Sequence, residues 1–108
     1  MRFERTDLFK ADYKRLTDAE RKQFRNAVIL FNSACDRFVG SNNFDEWPGA
    51  LRVKSVVNAP GVFEIIWSFK NPDGRATWEW ITIVDESGQI SPAVRWRRLG
   101  KHRIFKNP

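Results

Sequence analysis

The sequence predicts an α+β fold, with an N-terminal strand and a helical hairpin packed on one face of an antiparallel β-meander. Three observations lead there. Apolar residues recur at helical spacing as far as Phe38 and alternate in twos from Leu51 onward. A capping box, Thr17 with Glu20, marks the start of a second helix. Short turn sequences separate the apolar runs of the second half, and strands joined by short turns pair antiparallel.

Taken in order, "MRFER" can form a short first strand. "TDLFKADYKRL" follows as a short helix, with Phe9, Tyr13 and Leu16 on one face. The helix opened by Thr17 carries Phe24, Val28, Phe31, Cys35 and Phe38 at alternating spacings of four and three. That is one apolar face of a helix of about five turns, and Gly40 is expected to end it. "GSNNFDEWPG" is a loop. "LRVKSVV" reads as a strand, with Leu51, Val53 and Val57 on one side and Arg52 and Lys54 on the other. Pro60 and Gly61 make a turn. "VFEIIWSF" is a strand with Phe63, Ile65, Trp67 and Phe69 on one face, and "NPDGR" a hairpin turn. "ATWEWITIV", the turn "DESGQ" and the strand "AVRWRRL" complete the meander.

At 108 residues the chain reads as one domain, 1–108, expected to bury about 65% of its unfolded surface. It is 42% apolar and 14% aromatic, a globular composition rather than a disordered one. One cysteine excludes a disulfide framework. One cysteine and one histidine do not supply a structural zinc site. No apolar run is long enough for a membrane span and no signal-peptide pattern is present, so a cytoplasmic chain without a membrane partner or cofactor is expected. The net charge of +6 favours a polyanionic partner. The charge gathers at the end: residues 93–108 hold six cations and no acid, interleaved with Val94, Trp96, Leu99, Ile104 and Phe105.

Helices on one face leave the other face of the sheet open. With Leu51, Val53, Phe63, Ile65, Trp67, Val94 and Trp96 toward the helices, Arg52, Lys54, Glu64, Ser68, Arg95 and Arg97 point to the open face. In the strand 75–84 both parities are amphipathic. Either Trp78 and Trp80 enter the core and Glu79 is exposed, or the reverse.

Such a surface suits RNA, since cations bind phosphates and aromatics stack on unpaired bases. It also suits RNA cleavage. Attack of a 2′-hydroxyl on its own phosphate needs a base, a proton donor for the leaving oxygen, and cations for the added negative charge. Glu64 or Glu79 can accept the hydroxyl proton, and His102 can donate or accept. The same residues also have plain structural uses: a solvated strand face, a surface histidine, core tryptophans and an ion-paired Glu64. Cys35 lies on the core face of its helix and reads as a buried hydrophobe rather than a nucleophile.

The order strand, helical hairpin, antiparallel meander resembles the RelE/ParE superfamily of bacterial toxin–antitoxin toxins over nearly the whole chain. The residues that carry the resemblance are "LRVK" (51–54), "PGVFEIIWSF" and the ending "RRLGKHRIF". The RelE-like branch implies a metal-independent endoribonuclease acting on mRNA in the ribosome and restrained by an acidic antitoxin. By motif, Arg52 and Lys54 bind mRNA phosphate, His102 occupies the family's Gly-x-His/Arg position, and Phe105 is the terminal aromatic. The expected catalytic set is His102, Lys54, Arg52, Arg95 and Arg97. Arg75, Lys101, Arg103, Phe105, Glu79 and Glu64 are expected around the substrate. Two departures stand out. Phe105 replaces the tyrosine of many active members, so it can stack but not transfer a proton. Glu64 stands near an arginine of many members, whose charge Arg75, Arg95 or Arg97 would replace. The ParE branch implies instead a toxin that inhibits DNA gyrase by protein binding, and a plain RNA-binding module is the third reading.

Overall fold

The computed structural model describes residues 2–41, 47–70 and 73–108, with the backbone alone for residues 39–41 and 102. The expected loop at 42–46 and the turn at 71–72 lie outside the described residues. β1 (Phe3–Arg5) leads into α1 (Asp7–Arg15) and α2 (Asp18–Ser41). After a 3-10 turn (Gly49–Leu51) come β2 (Lys54–Ser55), β3 (Val62–Ser68), β4 (Gly74–Val84) and β5 (Ile90–Gly100). A 3-10 helix (His102–Lys106) closes the chain. The five strands lie in the order β1-β5-β4-β3-β2. β2 to β5 form the expected antiparallel meander, and β1 joins parallel to β5, so the sheet is mixed.

Local chemistry fixes the two helix starts. Thr6 Oγ1 accepts the Phe9 N–H and donates to the Arg97 carbonyl, so one hydroxyl caps α1 and ties it to β5. At α2 the capping box closes as the sequence predicts. Thr17 Oγ1 accepts the Glu20 N–H at 3.1 Å, and Glu20 Oε1 accepts the Thr17 N–H at 2.9 Å. The Arg21 guanidinium then donates to the Tyr13 and Lys14 carbonyls at the C-terminal end of α1, where the Tyr13 carbonyl also accepts the Leu16 N–H. The Thr17 hydrogen bond, first among the causes, holds the Glu20 carboxyl below its ordinary range. A lowered pKa stabilises the fold above the ordinary carboxylate range, and the stabilisation fades as pH falls through the lowered value. Thr17→Ala is expected to cost about 1 kcal/mol at neutral pH in urea denaturation. A loss under a few tenths would mean that the box adds nothing to this helix.

α2 runs 24 residues and passes through Gly40, which the sequence reading placed at its end. A helical glycine costs about 1 kcal/mol, and packing of the last turns offsets it. Phe38 is buried and stacks on Trp47 and Trp80 at 5.4 and 5.8 Å. The remaining apolar face of α2 enters the core as predicted. Phe31, fully buried, meets Trp78 at 4.8 Å and Trp96 at 4.9 Å. Trp78 and Trp80 both face the helices, which settles the parity of β4 and sends Glu79 to the opposite face.

Three expectations for the strands are corrected. "LRVKSVV" is not one strand: Leu51 closes a 3-10 turn, Arg52 takes left-handed backbone angles (φ 48°), and only Lys54–Ser55 pair. Val57 is 84% exposed rather than core, whereas Val56, whose N–H bonds to the Val62 carbonyl, is buried. Phe69 is 57% exposed, because the register shifts between Ile66 and Ser68 and β3 ends at Ser68. β4 begins at a glycine because the Trp67 ring lies against it; a Cβ on Gly74 would come within 2.6 Å of the ring.

Candidate functional site

The sheet face away from the helices is not bare. The chain beyond β5 turns back across it, and the Pro108 main-chain oxygen accepts hydrogen bonds from Arg97 Nε (2.9 Å) and Thr77 Oγ1 (3.4 Å). Ser68, expected to be open, is buried, and so are Thr77 and Glu64.

Beside this crossing a cleft of about 340 Å³ opens between the β2 edge and the 3-10 helix. Lys54, Val56, Val57, Glu64, Arg75 and Phe105 line it. The register explains how they meet. Lys54 sits directly across from Glu64, and Thr77 sits across from Glu64 on the other side. Arg75, two residues from Thr77, is therefore the diagonal neighbour on the same face. Glu64 Oε1 receives both cations, Arg75 Nη1 at 2.5 Å and Lys54 Nζ at 3.5 Å. Asp73 holds the far side of the Arg75 guanidinium at 3.4 Å, while Arg75 Nε is buried without a partner. Glu64 Oε2 makes no hydrogen bond among the described residues. The cleft thus offers one carboxylate oxygen held by two cations, a second oxygen that can take a proton, and an aromatic ring at its wall.

A second charged cluster crosses β1, β4 and β5. Glu79 bonds Arg95 Nη1 at 2.9 Å and Arg97 Nη1 at 2.6 Å, and Glu4 adds a contact to Arg95 at 3.3 Å. Hydrogen bonding to Glu79, ahead of Glu4, raises the Arg95 pKa above its ordinary value. Arg75 and Glu79 stand four residues apart on one strand, which is about 13 Å.

The other predicted site residues lie elsewhere. Arg52 is at the sheet margin with its guanidinium 5.8 Å from the centre of the Phe69 ring. Lys101 is on the helix side, over the Trp67 ring at 5.1 Å and 3.5 Å from Glu20. Arg103 is exposed beside a cavity shared with Asp12 and Glu20. The His102 side chain lies outside the described residues. The predicted cations therefore do not form one uncompensated patch; Lys54, Arg75, Arg95 and Arg97 each face a carboxylate. Sequence reasoning missed Val56 and Val57 as cleft walls, because a regular strand would have turned Val57 inward. It also passed over Asp12, which is buried against Arg98; the signal was an acid between Phe9 and Tyr13 on the inner face of α1.

Cys35 is buried in the core, and burial pushes its thiol up to about 12. It is expected to resist a thiol reagent at pH 8 in the native protein and to react once urea unfolds the chain. Rapid native labelling would contradict its core placement. Among the described residues, no three His, Cys, Asp or Glu side chains gather as a metal site, and no helix is long and apolar enough to cross a membrane. No family model, curated protein or solved structure matches the chain.

Proposed function

We propose that the protein is a RelE-like toxin, an endoribonuclease that cleaves ribosome-bound mRNA and is restrained by an acidic antitoxin. The observation that carries the reading is the convergence of Glu64, Lys54, Arg75 and Phe105 on one cleft. A 2′-hydroxyl seated there gives its proton to Glu64 Oε2 as its oxygen bonds to phosphorus. Lys54 and Arg75 offset the charge that builds on the phosphoryl oxygens. The 5′-oxygen leaves with a proton; His102, a residue able to donate or accept, is the donor under this proposal, and the products are a 2′,3′-cyclic phosphate and a 5′-hydroxyl. Phe105 offers a face for a base to stack on.

The deciding experiment is a purified translation system programmed with a defined mRNA. The proposal requires cleavage of the ribosome-bound message with 5′-hydroxyl ends. An intact message together with inhibition of gyrase supercoiling would replace it by the ParE-like reading. Within that assay Lys54→Ala is expected to weaken RNA binding and cleavage together, by about 1–3 kcal/mol, because a phosphate contact serves ground and transition states alike. Parent-level activity in a folded Lys54→Ala variant would take this residue out of the site.

A further inference from the structure

The sheet-face cations have carboxylate partners, but among the described residues two arginines on the helix side have none. Arg5 of β1 makes no ion pair among the described residues, and Arg25 of α2 bonds only the Tyr13 hydroxyl, at 2.9 Å. Both stand at the mouth of a cavity of about 230 Å³ between β1, α1 and α2. Its floor is Phe9, Phe24 and Trp96, all buried, and Phe3 stands at its rim, 48% exposed. The cavity lies on the opposite side of the sheet from Glu64.

We propose that this cavity is a docking site for an acidic peptide segment of a partner protein, which inserts one bulky apolar side chain between Arg5 and Arg25. Three physical points select this occupant. The volume suits one leucine- or phenylalanine-sized group rather than a drug-sized molecule, for which pockets start near roughly 300 Å³. The floor is aromatic carbon, and the Tyr13 hydroxyl is already engaged by Arg25. A nucleobase sunk there would bury its ring nitrogens and exocyclic groups unpaired, whereas an aliphatic side chain leaves nothing unsatisfied. Among the described residues the two arginines have no counter-charge, and carboxylates flanking the anchor would supply it in the bidentate geometry that guanidinium groups favour. A second copy of this chain, at net charge +6, would bring more positive charge to the same place. The site does not depend on RNA cleavage and holds even if the cleft reading fails.

The test is an NMR titration of the full chain with the capped pentapeptide Glu-Asp-Leu-Asp-Glu. Saturable shifts are expected at Phe3, Tyr13, Val28 and the Arg25 side chain. Replacing the peptide leucine by serine is expected to weaken binding about tenfold, as is the double variant Arg5→Gln/Arg25→Gln. Raising salt should weaken it further. Val28→Glu, which sets a negative charge at the wall, is expected to abolish binding while the amide spectrum stays folded. The proposal is overturned by any of four results: no saturable shift up to about 10 mM peptide, equal binding of Lys-Lys-Leu-Lys-Lys, shifts centred on Lys54 and Arg75, or displacement of the peptide from these signals by a uridine hexanucleotide. Self-association that Arg25→Glu removes would assign the cavity to a second copy and overturn it equally.

Discussion

Asp12→Ala is expected to remove about 3–5 kcal/mol of stability, the usual result of breaking one side of a buried ion pair. Asp12 is 6% exposed, and its carboxylate holds three donors. Arg98 Nε and Nη2 reach it at 2.8 and 3.2 Å, and the buried Leu99 N–H reaches Oδ2 at 3.0 Å. These contacts join α1 to β5. Alanine strands the Leu99 N–H, and it leaves a guanidinium only 16% exposed without its counter-charge. A domain of this size has about 5–15 kcal/mol in all, so the urea midpoint should fall steeply. Asp12→Asn keeps an acceptor for Leu99 and is expected to lose less. Asp12→Leu with Arg98→Met removes both charges and should recover most of the loss, because matched apolar residues replace buried pairs well. A loss near zero for Asp12→Ala would show that the pair does not hold α1 on the sheet.

Glu64→Gln is expected to lower the cleavage rate by 10²–10⁴-fold, the usual worth of a general base. Glutamine keeps an acceptor for Arg75 and Lys54 but takes no proton from a 2′-hydroxyl. The loss should therefore fall on kcat, with RNA binding held or tightened as a negative charge leaves the cleft. This separates it from Lys54→Ala, where binding and rate fall together. The variant also leaves two cations facing a neutral amide, so a urea curve must accompany the kinetics. If folded Glu64→Gln cleaved at the parent rate, Glu64 would be an ion-pair partner only, and Glu79, already committed to Arg95 and Arg97, would be the next base to test.

What could be read ahead of the structure was local. The Thr17–Glu20 box needs four consecutive residues, and the α2 core face needs only its own spacing, so both were legible. The partnering of charge was not. Glu79 is 16 residues from Arg95 and 18 from Arg97, and only the β4–β5 register brings them together. Counting cations along the sequence therefore found the basic strands, and an ion-paired Glu64 was among the readings, but Glu79 was not seen as the acid that neutralises Arg95 and Arg97. Irregular backbone hid as well. Thr77 pairs with Arg98 while Trp78 pairs with Trp96, so Arg97 is an extra residue in β5. The alternation flips there, so Leu99 joins Val94 and Trp96 in the core, opposite Ala76. Arg52 hid a turn in the same way, since its left-handed angles leave no mark in an alternating stretch. For β4, aromatic residues on one parity and Glu79 on the other satisfy either facing, and only the packing of Phe31 and Phe38 on the indoles decides.

β1 is the first strand made and lies against the last, with Phe3 opposite Val94. During synthesis at about 5–20 residues per second, roughly five to twenty seconds separate the two. Throughout that interval α1 and α2 have no Trp96 or Leu99 to cover, and Phe9 and Phe24 lack the indole that packs on both of them. The cleft waits too, because Phe105 follows β5. Under the proposed function, the order in which the strands emerge delays activity: the working surface is complete only once β5 and the 3-10 helix after it have followed β2 to β4 out of the ribosome.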